Sequence, residues 1–124
     1  MNTRSVGNIG EDIACKFLCT KGFSVVARNY RKKWGEIDII AERNTPTQRA
    51  EIHFFEVKSI TARYDNGHSP EENVHSLKTR HIRRMVETYM AEYGWREFQV
   101  HILCVYMNNK TRVARVKWIK NIIL

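Results

Sequence analysis

The sequence predicts an α/β domain, a mixed β-sheet with helices packed on it, and three observations carry that expectation. Apolar residues recur at helical spacing in two segments and in strand-like runs in five. The segments follow the order helix, three strands, helix, two strands, which suits a sheet covered by helices. The chain has 124 residues, the size of one compact domain, so residues 1–124 are expected to form a single unit. Its 43% hydrophobic content, with five Phe, five Tyr and three Trp, can supply a core; six Gly and two Pro exclude collagen-like or low-complexity chains. A mean hydropathy of -0.49, with no long uninterrupted apolar run, excludes a helical membrane span.

In the first segment, Val6, Ile9, Ile13, Ala14, Phe17 and Leu18 recur at helical spacing up to Thr20, and Gly22 follows as a stop signal. Phe23 to Arg28 is short and β-branched, Gly35 to Glu42 alternates Ile37, Ile39 and Ala41 against Glu36, Asp38 and Ile40, and Glu51 to Ser59 is rich in Phe, Ile and Val. These are three strands. The turn residues of Asn44 to Gln48 make the second and third antiparallel neighbours in a hairpin. Ser59 to Pro70, with Asp65-Asn66-Gly67, reads as a long loop. Ser69 as N-cap, Pro70 at the first helical position and Glu71-Glu72 in the first turn predict a long amphipathic helix that ends at Gly94. Phe98 to Tyr106 and Arg112 to Ile119 are two further strands, joined across Met107 to Lys110.

Lys and Arg number 21 against 13 Asp and Glu, a net charge of +8, and the isoelectric point is near 9.7. Such a surface attracts polyanions, which makes nucleic acid the leading partner class. The basic residues cluster at Arg28, Arg31, Lys32 and Lys33, with Tyr30 and Trp34 interleaved, at Lys78 to Arg84, and at Lys110 to Lys120. Clusters of this kind suit a phosphate backbone, with aromatics available to stack on unpaired bases; each taken singly also fits a solvated face. Cys15, Cys19 and Cys104 are an odd number behind no signal-like segment. A disulfide framework is not expected, and a reducing cytoplasm is the expected compartment. No second Cys or His pair follows Cys15 and Cys19 at zinc-like spacing.

Two groups of charges stand where local pattern does not explain them. Residues two apart on a strand share a face, so Glu56 and Lys58 project together with Ile52, Phe54 and Ile60. If the hairpin turns near Thr45 to Gln48, Asp38 can lie across from Glu56. Converging carboxylates repel unless a cation separates them, and oxygen ligands suit Mg²⁺ or Mn²⁺. Such a metal polarises a phosphoryl oxygen and acidifies a bound water, while Lys58 can orient that water or neutralise developing charge. The competing reading is a Glu56–Lys58 ion pair, or charges that face solvent. On the second helix, stepping about 100° per residue puts Lys78 near the centre of the apolar arc and His81 within it, with Arg80, Arg83 and Arg84 opposite. Lys78 then either snorkels or faces a phosphate-accepting pocket. On the first helix, Glu11 borders the apolar arc and can reach a metal site or stay solvated.

Gly7-x-x-Gly10-Glu11-x-x-Ala14, Arg28-Asn29-Tyr30-Arg31, Gly35-Glu36-Ile37-Asp38-Ile39-Ile40-Ala41, Phe55-Glu56-Val57-Lys58 and Lys78 together resemble the YraN family of bacterial predicted endonucleases. That family is similar to archaeal Holliday junction resolvases within the PD-(D/E)xK nuclease superfamily. The resemblance spans Gly7 to about Tyr93, and its specificity lies in the ordered set. It implies a restriction-endonuclease-like core in which Asp38 and Glu56 ligate Mg²⁺ or Mn²⁺, the Val57 carbonyl completes the coordination, Lys58 is the catalytic lysine and Glu11 supports the metal. Where that family tends to have Arg-Phe-Asp, this chain has Glu97-Phe98-Gln99, and Ile60 stands where an arginine commonly follows Glu-x-Lys. The expected activity is metal-dependent hydrolysis of DNA phosphodiesters, on branched or single-stranded DNA. A homodimer is allowed, since related resolvases cut two strands symmetrically. The rival readings are a non-catalytic nucleic-acid-binding module that keeps the fold, and a scaffold whose basic face binds protein.

Overall fold

The computed structural model describes residues 6–43, 50–61, 79–108, 110–111, 113–120 and 122. Helix α1 (Val6–Thr20) is followed by β1 (Ser24–Lys32), β2 (Gly35–Arg43), β3 (Glu51–Thr61), helix α2 (Thr79–Tyr93), β4 (Phe98–Met107) and β5 (Ala114–Ile119). The strands form one five-stranded sheet in the order β1-β2-β3-β4-β5. Among the described residues only β3 and β4 pair in parallel; that pair needs a crossover, and α2 lies in the segment that makes it. A mixed sheet flanked by two helices is an α/β nuclease-like architecture.

The two helices cover opposite faces because β2 and β3 are apolar on both sides. On the α1 side, Ala14 and Leu18 pack with Phe23, Ile39, Ala41, Phe55, Leu103 and Val105. On the α2 side, Ile82, Met85, Val86, Tyr89 and Met90 pack with Ile37, Ile40, Ile52, Phe54 and Val100. Two buried histidines on neighbouring strands, His53 and His101, bring Nδ1 and Nε2 to 2.9 Å. Burial lowers the pKa of both, that of His101 to about 3, so they sit neutral between Phe23, Phe55 and Trp118. Both helices end as the sequence indicates: Gly22 (φ 88°), two residues beyond α1, and Gly94 (φ 98°), directly after α2, take left-handed conformations.

Several local expectations change. β3 runs on to Thr61, so Ser59 to Thr61 belong to the strand and not to the expected loop, because β3 stays paired with β4 up to Met107. β1 runs on to Lys32 instead of ending at Arg28, because it pairs with β2 up to Lys32 and Gly35 across the two-residue turn Lys33-Trp34. Ile37 does not alternate with Ile39 and Ala41; it packs on the α2 side with Ile40. The strict alternation breaks at the Asn29/Asp38 level, where Asn29 lies at φ 52°. His81 does not point into an apolar arc: it is exposed, with Nδ1 3.0 Å from the Trp34 carbonyl of the hairpin turn. Ser69, Pro70, Lys78 and the 44–48 turn lie outside the described residues.

Candidate active site

The site forms where the sheet forks. β2 and β3 pair from Arg43/Glu51 to Ile39/Phe55, and the ladder between them stops there. Beyond that point β2 stays with β1 down to Gly35, while β3 stays with β4 up to Thr61. Asp38 and Glu56 are the next residues on each branch, at the crotch of the fork. The separation leaves the Val57 N–H without a β2 carbonyl, and it donates instead to Asp38 Oδ2 at 2.8 Å. One residue's N–H and C=O point to the same edge of a regular strand, so the Val57 carbonyl is directed toward the same gap.

Glu56 and Lys58 follow Ile52 and Phe54 on the α2 side of β3, beyond the reach of the apolar cluster. Asp38, Glu56 and Lys58 act on one another electrostatically. Burial is the main cause that raises the Asp38 pKa to about 6; the Val57 N–H and Lys58 oppose the rise, and Glu11 and Glu36 add to it. Burial also raises Glu56 to about 7, with further repulsion from Asp38, Glu36 and Glu11 against the attraction of Lys58. The pair is therefore under-neutralised when ionised at neutral pH. A cation between them is the simplest relief.

Glu11 reaches this region from α1. The helix comes close to β3 at Gly10, where an added Cβ would overlap Ser59 Oγ and stand 2.9 Å from Ser59 Cβ. Gly10→Ala is expected to push α1 off the sheet one residue before Glu11, for a net loss of about 1–2 kcal/mol after the gain in helix propensity. Urea denaturation measures that loss. Arg28 ties Glu11 to β1, with its guanidinium 3.0 Å from Asp12 and 3.7 Å from Glu11. Arg31 pairs with Glu36 at 3.0 Å, Lys32 with Glu92 at 2.8 Å, and Lys33 is exposed in the turn. Lys78 lies outside the described residues.

Glu36 and Asn29 are parts of the site that sequence patterning does not single out. Glu36 sits two residues before Asp38, and that spacing is the signal that could flag it. Asn29 faces Asp38 across the ladder, since Arg28 pairs with Ile39 and Tyr30 with Ile37; an Asn inside a strand pattern is its signal.

All these residues from Gly10 onward fall within one family match. The profile described as "Uncharacterised protein family UPF0102" matches residues 10–116. The chain belongs to UPF0102. This is the YraN family, which the sequence motifs resemble. A UPF0102 protein of Caldicellulosiruptor saccharolyticus is 38% identical over 124 residues, covering 98% of each chain. One from Campylobacter lari is 37% identical over 101 residues, covering 81% of this chain and 82% of its own. One from Campylobacter fetus is 32% identical over 114 residues, covering 91% and 88%. The UPF0102 match thus takes in the whole fork, from Glu11 on α1 to Lys58 on β3.

Among the described residues, no three His, Cys, Asp or Glu side chains converge into a ready-made metal cage. The donor set nevertheless fits Mg²⁺ or Mn²⁺. Hard divalent cations in phosphoryl-transfer sites are held by one or two carboxylates, with waters and substrate phosphates filling the other positions. Two partly buried carboxylates and a backbone carbonyl directed into the gap answer that description.

Proposed function

We propose that this UPF0102 protein hydrolyses phosphodiester bonds in DNA, on branched or single-stranded substrates, with Mg²⁺ or Mn²⁺ held by Asp38, Glu56 and the Val57 carbonyl. The observation that carries the reading is the fork itself: two carboxylates whose charges burial disfavours, within electrostatic reach of one lysine, at the point where two strands separate. A structural ion pair would need one carboxylate for one lysine. A second partly buried acid beside it exceeds that need, and such perturbed groups cluster at functional sites.

A Mg²⁺ or Mn²⁺ held by Asp38, Glu56 and the Val57 carbonyl would supply Lewis acidity to the phosphoryl oxygen and to the attacking water. Asp38 is held in place for ligation because one of its oxygens accepts the Val57 N–H. Lys58 shares the strand face of Glu56, so its ammonium can neutralise charge that develops on the phosphate as the water oxygen attacks phosphorus and the sugar oxygen departs. Glu11 adds negative potential from α1.

Calorimetry with Mn²⁺ tests the metal site. Wild type should give a binding heat that Asp38→Ala abolishes; no heat from either protein would leave a non-catalytic nucleic-acid-binding module as the better account. The surface charge makes a separate prediction. Lys32 and Lys33 lie at the β1–β2 turn, and if both meet phosphates, changing both to Ala should weaken duplex binding. The slope of log K against log salt should then fall by about 0.9 for each phosphate that is no longer neutralised. A salt titration by fluorescence anisotropy reads both effects, and an unchanged slope would remove this turn from the DNA path.

A further inference from the structure

We propose that Asn29 is a positioning residue for the metal site, whose side-chain amide ties Glu11 of α1 and Glu36 of β2 into a fixed pair beside Asp38 and Glu56. This deepens the nuclease reading and rests on it. In a regular strand, consecutive side chains point to opposite faces, so only one of Arg28 and Asn29 should reach α1. Both do. Arg28 meets Asp12 and Glu11. With its carboxamide nitrogen turned to the acids, Asn29 donates to Glu36 Oε1 at 2.8 Å and to Glu11 Oε1 at 3.1 Å.

The backbone explains how. Asn29 sits at φ 52°, a left-handed conformation that costs most L-residues energy but that Asn tolerates better than most. This single step rotates the strand, so that Arg28 and Asn29 both serve the α1 side and Tyr30 turns to α2. There Tyr30 packs edge-on against Tyr89, and its hydroxyl donates to Glu92 at 2.6 Å. The same step lies opposite Asp38 in the ladder. A Gly could adopt this φ without strain, but it could not bridge two carboxylates. The amide donors hold two acids close to each other and to the fork, where both bear on Asp38 and Glu56. Groups that orient metal ligands or their neighbours in this way influence affinity without touching the metal.

The test is Mn²⁺ titration of wild type, Asn29→Gly, Glu11→Gln and the double variant, with thermal melts as a control for folding. Asn29→Gly keeps φ 52° accessible and removes only the donor, so it should melt close to wild type and bind Mn²⁺ about tenfold more weakly. Because Asn29 acts in part through Glu11, the losses of the two single variants should not add in full in the double variant. Equal affinity of Asn29→Gly and wild type, or losses that add in full, would overturn the assignment of Asn29 alone. A wild type that takes up no Mn²⁺ would overturn the nuclease reading, and this inference with it. If Asn29→Gly fails to fold, the wild-type Asn29 side-chain NH₂ resonances decide. A signal that moves on Glu11→Gln supports the bridge, and one that stays in place overturns it.

Discussion

Lys58→Ala is expected to lower DNA cleavage by about 10²–10⁴-fold while the dissociation constant for DNA changes little. Lys58 is one cation in a chain of net charge +8, so its share of the long-range attraction to phosphate is small. On the proposed function, its place beside Asp38 and Glu56 gives it a second task, which appears only as negative charge builds on the phosphate. An interaction realised mainly in the transition state lowers kcat and kcat/KM together and leaves ground-state binding almost unchanged. Single-turnover cleavage at saturating DNA, set beside an equilibrium binding curve, separates the two effects. A weakened dissociation constant with unchanged turnover would make Lys58 a phosphate anchor. Unchanged values of both would make it structural.

The second large effect is on stability and runs against activity. Folding raises the Glu56 pKa from 4.5 to about 7. A carboxyl raised in this way contributes stability that is fully present below pH 4.5 and is lost as pH rises to about 7. Above that, the metal-free protein carries the whole penalty of a buried, repelled carboxylate. Glu56→Gln removes the charge at little change in size. It should therefore be more stable than wild type at about pH 8, by about 1–3 kcal/mol, and the difference should shrink toward pH 4.5. The same variant should lose metal uptake and cleavage. Mn²⁺ should raise the melting temperature of wild type at about pH 8 and leave that of Glu56→Gln unmoved. If Asp38 and Glu56 ligate Mn²⁺ as proposed, protons compete with it for both, so wild-type uptake should increase as pH rises through about 6 to 7. A Glu56→Gln variant less stable than wild type under the same alkaline conditions would mean that the carboxylate is held by partners stronger than those named above.

Much of this fold was legible because its signals are local. Glycines beyond two amphipathic helices, β-branched runs and the element order led to the α/β sheet without knowledge of which strands pair. The proximity of Asp38 and Glu56 was legible for the same reason: a hairpin between β2 and β3 brings them level whatever the rest of the chain does. What escaped depended on the third dimension. The fork follows from β3 continuing along β4 while β2 continues along β1, and no pattern within either strand records it. Ile37 lies on the other side from Ile39 because the alternation of β2 breaks at Asp38, level with the positive φ of Asn29 on the neighbouring strand. His53 and His101 are 48 residues apart and meet only because β3 and β4 are parallel neighbours. His81 is a different case: the helical wheel placed it on the apolar arc, but the polar carbonyl of Trp34 lies within reach of its ring.

The carboxylates and lysine at the fork are the groups held to cut DNA. A cleavage panel of flap, four-way junction, single-stranded and duplex DNA, each with Mg²⁺ and with Mn²⁺, tests that claim most directly, with wild type run beside Asp38→Ala. The account predicts metal-dependent products from at least one branched or single-stranded substrate, and none from Asp38→Ala. Cleavage by Asp38→Ala at the wild-type rate, or no cleavage of any substrate with either metal, would contradict it.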